Sequence, residues 1–95
     1  MENFIDAQEM HLNNPKTFSV PSMSELDKIQ ADWFVKLCHA SERFWVKVTD
    51  VNENIITGKI SNKLSDKQPF KYDDIIQCEK RHVYDFLPEG WSSMV

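Results

Sequence analysis

Apolar and polar residues alternate along the middle of the chain. Trp33, Val35 and Leu37 are interleaved with Phe34, Lys36 and Cys38, and Phe44, Val46 and Val48 with Trp45, Lys47 and Thr49. A period of two sends successive side chains to opposite faces of a strand, so each run has one strongly apolar face and one mixed face. Asn52-Glu53-Asn54 offers residues that tolerate left-handed backbone, and Ile55-Ile56-Thr57 resumes an extended pattern at once, which predicts a hairpin. Gly58 inside the returning strand predicts a bend, a bulge or a close approach of neighbouring backbone. A polar loop over residues 62–67 leads to Pro69-Phe70. The last extended run, Ile75 to Glu79, passes through a tight turn into Val83-Tyr84-Asp85-Phe86.

Ahead of residue 32 the pattern changes. Residues 1–20 have mixed polarity and an Asn13-Asn14-Pro15 turn signal, with Phe4, Ile5, Met10 and Leu12 suited to a short helix docked on the core. Ser22-x-x-Glu25 fits a capping box, in which the hydroxyl and the carboxylate each satisfy one orphan backbone N–H. Met23, Leu26 and Ile29 recur every third residue, which predicts an amphipathic helix of about two turns within residues 21–31. Beyond Pro88 periodicity is lost. The organisation expected is a single domain over residues 1–95: an N-terminal helical or irregular segment (1–31), a β core (32–86) and a C-terminal tail (87–95). The fold class expected is α+β, mainly β. About four or five short strands with close hairpins must curl to bring their apolar halves together, as in a partly open SH3-like barrel. A flatter four-stranded sheet with helices on one face is the alternative.

Five blocks carry a family resemblance: Phe18-Ser19-Val20-Pro21-Ser22, Asp32-Trp33-Phe34-Val35-Lys36-Leu37, Glu42-Arg43-Phe44-Trp45-Val46-Lys47-Val48-Thr49, Ile56-Thr57-Gly58-Lys59-Ile60-Ser61-Asn62 and Lys71-Tyr72-Asp73-Asp74-Ile75-Ile76. In this order they resemble the bacterial family catalogued as domain of unknown function 2314, over residues 14–86. The strongest block is Glu-Arg-Phe-Trp-Val-x-Val-Thr followed by Thr-Gly-x-Ile-x-Asn. The chain departs from the family where members often carry Gly-Asp, having Ala31-Asp32 and Asp73-Asp74. It also has Lys63-Leu64 after Asn62 where a proline often follows. The resemblance implies a shared fold and brings no activity, cofactor or catalytic residue, so function rests on a site.

Charge narrows the classes of function. Eleven basic residues face fifteen acidic ones, for a formal net charge of −4. Proteins that track phosphates cluster Lys and Arg to displace counterions, and here the densest basic group is Lys80-Arg81-His82, flanked by Glu79 and Asp85. Nucleic acid is therefore not the expected partner. No apolar run approaches the roughly 20 residues that span a bilayer, so no membrane is expected either. Met1-Glu2-Asn3-Phe4-Ile5-Asp6 has neither the basic nor the apolar stretch of a secretory signal. Cys38 and Cys78 then read as free thiols in the cytoplasm.

The constellations of common chemistry are incomplete. Cys38, His39, Cys78 and His82 are the candidate soft-metal set, but adjacent strand residues point to opposite faces and do not readily chelate one ion. The bland reading is two buried or half-buried thiols and two surface histidines. Cys78 and His82 are four residues apart, too far for a thiol–imidazole pair in an extended strand unless a turn follows Glu79. Asp73, Asp74 and Asp85 suit a hard cation, yet adjacent aspartates before a strand are more often turn formers. With two glycines the chain has no phosphate-cradling loop and no dinucleotide fingerprint. The expectation is no catalytic residue, no cofactor and no metal.

Aromatic content points elsewhere. If Phe44, Val46 and Val48 face inward, Trp45 faces outward with Lys47, beside Phe34 of the neighbouring strand. Trp45, Phe34 and Lys47 are thus the candidate partner-binding residues, unless the N-terminal helix covers them. The expected function is a protein-binding or inhibitory module whose partner is another protein, with self-association open. A narrower version is an acidic inhibitor of a basic surface, of the kind used in phage defence or toxin neutralisation. The alternative is a small-molecule-binding domain or a small enzyme, which a deep polar pocket would favour.

Overall fold

A computed structural model describes residues 4–13, 20–39, 42–64 and 68–88. Helix α1 (Ala7–Asn13) and the single-turn helix α2 (Met23–Leu26) precede the strands β1 (Phe34–His39), β2 (Glu42–Asn52), β3 (Ile55–Ile60) and β4 (Ile75–Glu79). A 3-10 turn (Lys80–His82) and strand β5 (Asp85–Leu87) follow. The strands form one antiparallel five-stranded sheet in the order β4-β3-β2-β1-β5, which is not closed. The mainly β class expected of the alternation is what the chain adopts, and β5 carries the sheet one residue past the core boundary at 86. The Asn13-Asn14-Pro15 turn, the end of the polar loop and the C-terminal tail fall wholly or partly outside the described residues.

Alternation sets which face is buried. Val35 and Leu37 pair across β1 and β2 with Val46 and Phe44, and all four are at most 1% exposed. Ile56 and Ile60 of β3, Ile76 and Cys78 of β4 and Val83 continue the same apolar face. Fully burying each large aliphatic side chain contributes about 1.5–3 kcal/mol, so this face dominates stability.

The β2–β3 ladder contains an irregularity. Val48 pairs with Gly58 and Asp50 with Thr57, leaving Thr49 as the extra residue of a bulge. Its hydroxyl donates to the Thr57 carbonyl at 3.1 Å. The bulge resets the period, so Val51, not residue 50, returns to the core side opposite Ile56. A Cβ on Gly58 would stand 2.6 Å from both the Lys47 carbonyl oxygen and Val46 Cγ1. Among the three expectations for Gly58, close backbone approach beside a bulge is the one realised. The hairpin forms at Asn52, and the residue with positive φ is Glu53 (φ 56°) rather than either flanking asparagine.

The N-terminal helices differ from expectation in length and in which side chains they bury. The capping box of α2 forms: Ser22 Oγ accepts from the Glu25 N–H at 3.3 Å, and the Ser22 N–H donates to Glu25 Oε1 at 3.1 Å. The helix then ends after one turn, because residues 28 and 29 bond three residues back instead of four. Leu26 and Ile29 reach the core, whereas Met23 stays 46% exposed. In the first segment Phe4 and Ala7 do the docking, and Leu12 is 78% exposed. Phe4 precedes the helix and closes one end of the core against Phe44, Phe70, His39 and His82, with ring centroids 5.7–6.1 Å apart. Ile5 extends the ladder by donating its N–H to the Cys38 carbonyl at 3.0 Å. Among the described residues no helix is long and apolar enough to cross a membrane.

Candidate functional site

The residues of interest stand on the outer face of the sheet, opposite the core. Registers across five strands put Leu87, Phe34, Lys47, Lys59 and Ile75 in one transverse row. The next row places Asp85, Lys36 and Trp45 side by side. The row beyond pairs Cys38 with Arg43.

Trp45 does face outward, as its alternation with Phe44 and Val46 requires. It is half-buried, and the Lys36 ammonium lies 5.6 Å from its ring centroid, a cation–π contact. Its backbone is held firmly: the N–H donates to Asn62 Oδ1, and the carbonyl accepts from the Ser61 N–H at 2.9 Å and from the Ser61 hydroxyl at 3.1 Å. Phe34 shares the face but pairs with Lys47, not with Trp45, and is only 5% exposed. It supports the surface from within and offers a partner little area. Lys47 is exposed and stands 4.0 Å from Asp32, an ion pair between two half-exposed groups that contributes little. Lys36 and Lys59 belong to the same face. The alternation of Lys36 with Val35 and Leu37, and of Lys59 with Ile60, was a usable signal for both.

The other end of this face is covered. Cys38, Ala7 and Tyr84 form a small buried cluster, with Ile5 and Val20 packed against it, and Arg43 lies over the Tyr84 ring at 5.3 Å. The N-terminal segment therefore covers the sheet at Cys38.

The basic triplet Lys80-Arg81-His82 is consumed in holding that segment. Lys80 Nζ donates to Asp27 Oδ1 at 3.1 Å just past α2, Arg81 pairs with Asp6 just ahead of α1, and His82 Nε2 is 3.6 Å from Glu79 Oε2. His82 is buried, contrary to the surface position expected of it, because the 3-10 turn folds its ring under Phe4. Its Nδ1 accepts the Glu79 N–H at 3.1 Å, and burial lowers its pKa against the opposing charges of Glu79 and Asp6.

The candidate chemical groups are dispersed. Cys38 lies in the outer cluster and Cys78 in the main core, both buried and free. Burial, aided by the Glu79 charge, pushes the Cys78 thiol up to about 12, where it holds its proton and is a poor nucleophile. His39 is engaged with Gln68, its Nδ1 lying 2.7 Å from Gln68 Oε1. Asp73 takes φ 73°, and Asp74 Oδ2 accepts the Lys71 N–H at 2.8 Å, so this pair builds a turn. Asp85 lies at the opposite edge of the sheet from them. Among the described residues no three His, Cys, Asp or Glu side chains converge on a point that would hold a metal ion. A cleft of about 360 Å³ opens between Gln8, Met23, Asn54, Glu79, Lys80 and Arg81. Its two cations are already paired with carboxylates.

No family model, no curated protein and no solved structure matches the chain.

Proposed function

We propose that the chain is a cytoplasmic protein-binding or inhibitory module that engages a partner protein through the outer face of β1 and β2, with Trp45 as anchor and Lys47 beside it. The observation that carries this reading is a half-buried tryptophan fixed by backbone hydrogen bonds on a sheet face whose neighbouring end is closed by the chain's own residues. A rigid aromatic with few rotamers to freeze is a typical interface anchor, and flanking amines provide the polar rim. Kinship with domain of unknown function 2314 remains part of the proposal. The positive φ of Asp73, where members often carry glycine, supports it. The strand order, with a 3-10 turn between β4 and β5, supports an SH3-like reading.

A small-molecule-binding domain or small enzyme is the second reading, favoured by the cleft beside the 3-10 turn. Affinity capture from the native host with wild-type protein and Trp45→Ala separates the two. The substitution should lower capture of the partner by about tenfold or more. Stability should fall by only about 1 kcal/mol, the scale of one cation–π contact on a half-exposed face. Capture unaffected by Trp45→Ala would refute the module reading.

A further inference from the structure

We infer that the outer face of β1–β3 is a docking site for a carboxylate-rich segment of another protein, an inference that rests on the protein-binding reading above. Lys47 and Lys59 are direct cross-strand partners on this face. Like charges in that position oppose folding, and nothing in the core requires lysine at either site. Asp32, 4.0 Å from Lys47, is the neighbouring counter-charge, and among the described residues Lys59 has no ion pair. Lys36 adds a third amine one row away, above Trp45. Its cross-strand neighbour Asp85 already accepts a hydrogen bond from the Phe86 N–H at 2.8 Å.

This gathering of amines stands out in a chain of net charge −4. Lys80 and Arg81 are each bound to a carboxylate of the N-terminal segment, whereas on the sheet face Lys47 has the 4.0 Å contact with exposed Asp32 and Lys59 has no ion pair among the described residues. Strands lie about 4.8 Å apart and alternate residues about 6.8 Å apart, so the three lysine positions fall roughly 5–12 Å from one another, a spread that the carboxylates of one short segment can span. An apolar side chain of that segment would rest on the exposed part of Trp45. Single-stranded nucleic acid fits less well. Successive bases need successive stacking surfaces, and here Phe34 is buried, which leaves Trp45 as the aromatic ring this face offers among the described residues. The overall negative field also opposes a long polyanion more than a short acidic segment.

Fluorescence anisotropy of a labelled, acetylated Glu-Leu-Glu-Leu-Glu-Asp peptide tests this with the full chain. A thymidine oligonucleotide of equal charge serves as the competing probe. The variants are K47Q/K59Q and, as a charge-matched control elsewhere on the surface, K28Q/K71Q. Peptide binding should weaken about tenfold in K47Q/K59Q, change little in the control and decline with added salt. The thermal midpoint of K47Q/K59Q should hold or rise as the repulsion is relieved. Absence of peptide binding at low salt, equal loss in both variants, or tighter binding of the oligonucleotide would each overturn the inference. If host-partner capture depends on Trp45 but survives K47Q/K59Q, the acidic partner is wrong and the protein-binding reading stands.

Discussion

The two ends of the outer sheet face share strands and alternation, yet they are finished differently. At the Cys38 end, Ala7, Ile5, Val20 and Tyr84 close over the sheet, and Asp6 is tied to Arg81 below. At the Lys47 end the chain sets two lysines opposite each other and leaves Trp45 half-covered by a third. The closed end spends its charges on internal pairs, so its basic triplet, the densest in the sequence, provides structural anchoring. The open end has dispersed lysines that only strand pairing brings together. Local density of basic residues in a sequence is therefore a poor guide to where a folded protein presents positive charge.

Perturbing the closed end should cost the most. Phe4→Ala removes the ring that seals the core against Phe44 and Phe70, and should destabilise the protein by about 3–5 kcal/mol in denaturant unfolding. A loss below about 1 kcal/mol would mean that the N-terminal segment is a loose attachment. Ala7→Leu should follow. Ala7 is fully buried against Cys38 and Tyr84, and overpacking there should cost about 1–3 kcal/mol while leaving Trp45 emission unchanged. A shift in that emission, read in a protein whose other tryptophans are replaced by phenylalanine, would show the two ends to be coupled.

The smallest expected effect is a pH dependence. Burial lowers the His82 pKa in the folded state below its ordinary value of 6.5. The unfolded chain then binds the proton more readily than the folded one. The stability this group contributes is present above about pH 6.5 and declines as pH falls through the lowered folded value. Protonation at Nδ1 also removes the acceptor for the Glu79 N–H, loosening the 3-10 turn that holds Asp6 and Asp27. Thermal midpoints of wild type and His82→Gln measured between neutral and mildly acidic pH should converge toward the acidic side. Parallel curves would assign the acid sensitivity to other groups.

Much of the architecture was legible in residue order because it depends on near neighbours. The period of two in β1 and β2, the Ser22–Glu25 capping box, the hairpin at Asn52 and the turn after Glu79 are all local choices of backbone angle and side-chain direction. Trp45 could be placed outward for the same reason. Tertiary structure decided what depends on distant strands meeting. The bulge at Thr49 sits beside the close approach of Gly58 to the Lys47 backbone, a contact between two strands. Phe34 is buried although it shares the polar face, and Phe4 is core although it lies in an aperiodic segment. Pairing Lys47 with Lys59 needs the β2–β3 register, and placing Lys36 over Trp45 needs that of β1–β2. Alternation tells each strand which way its side chains point, but not which residue of the next strand stands beside them, and that adjacency is what makes the candidate site.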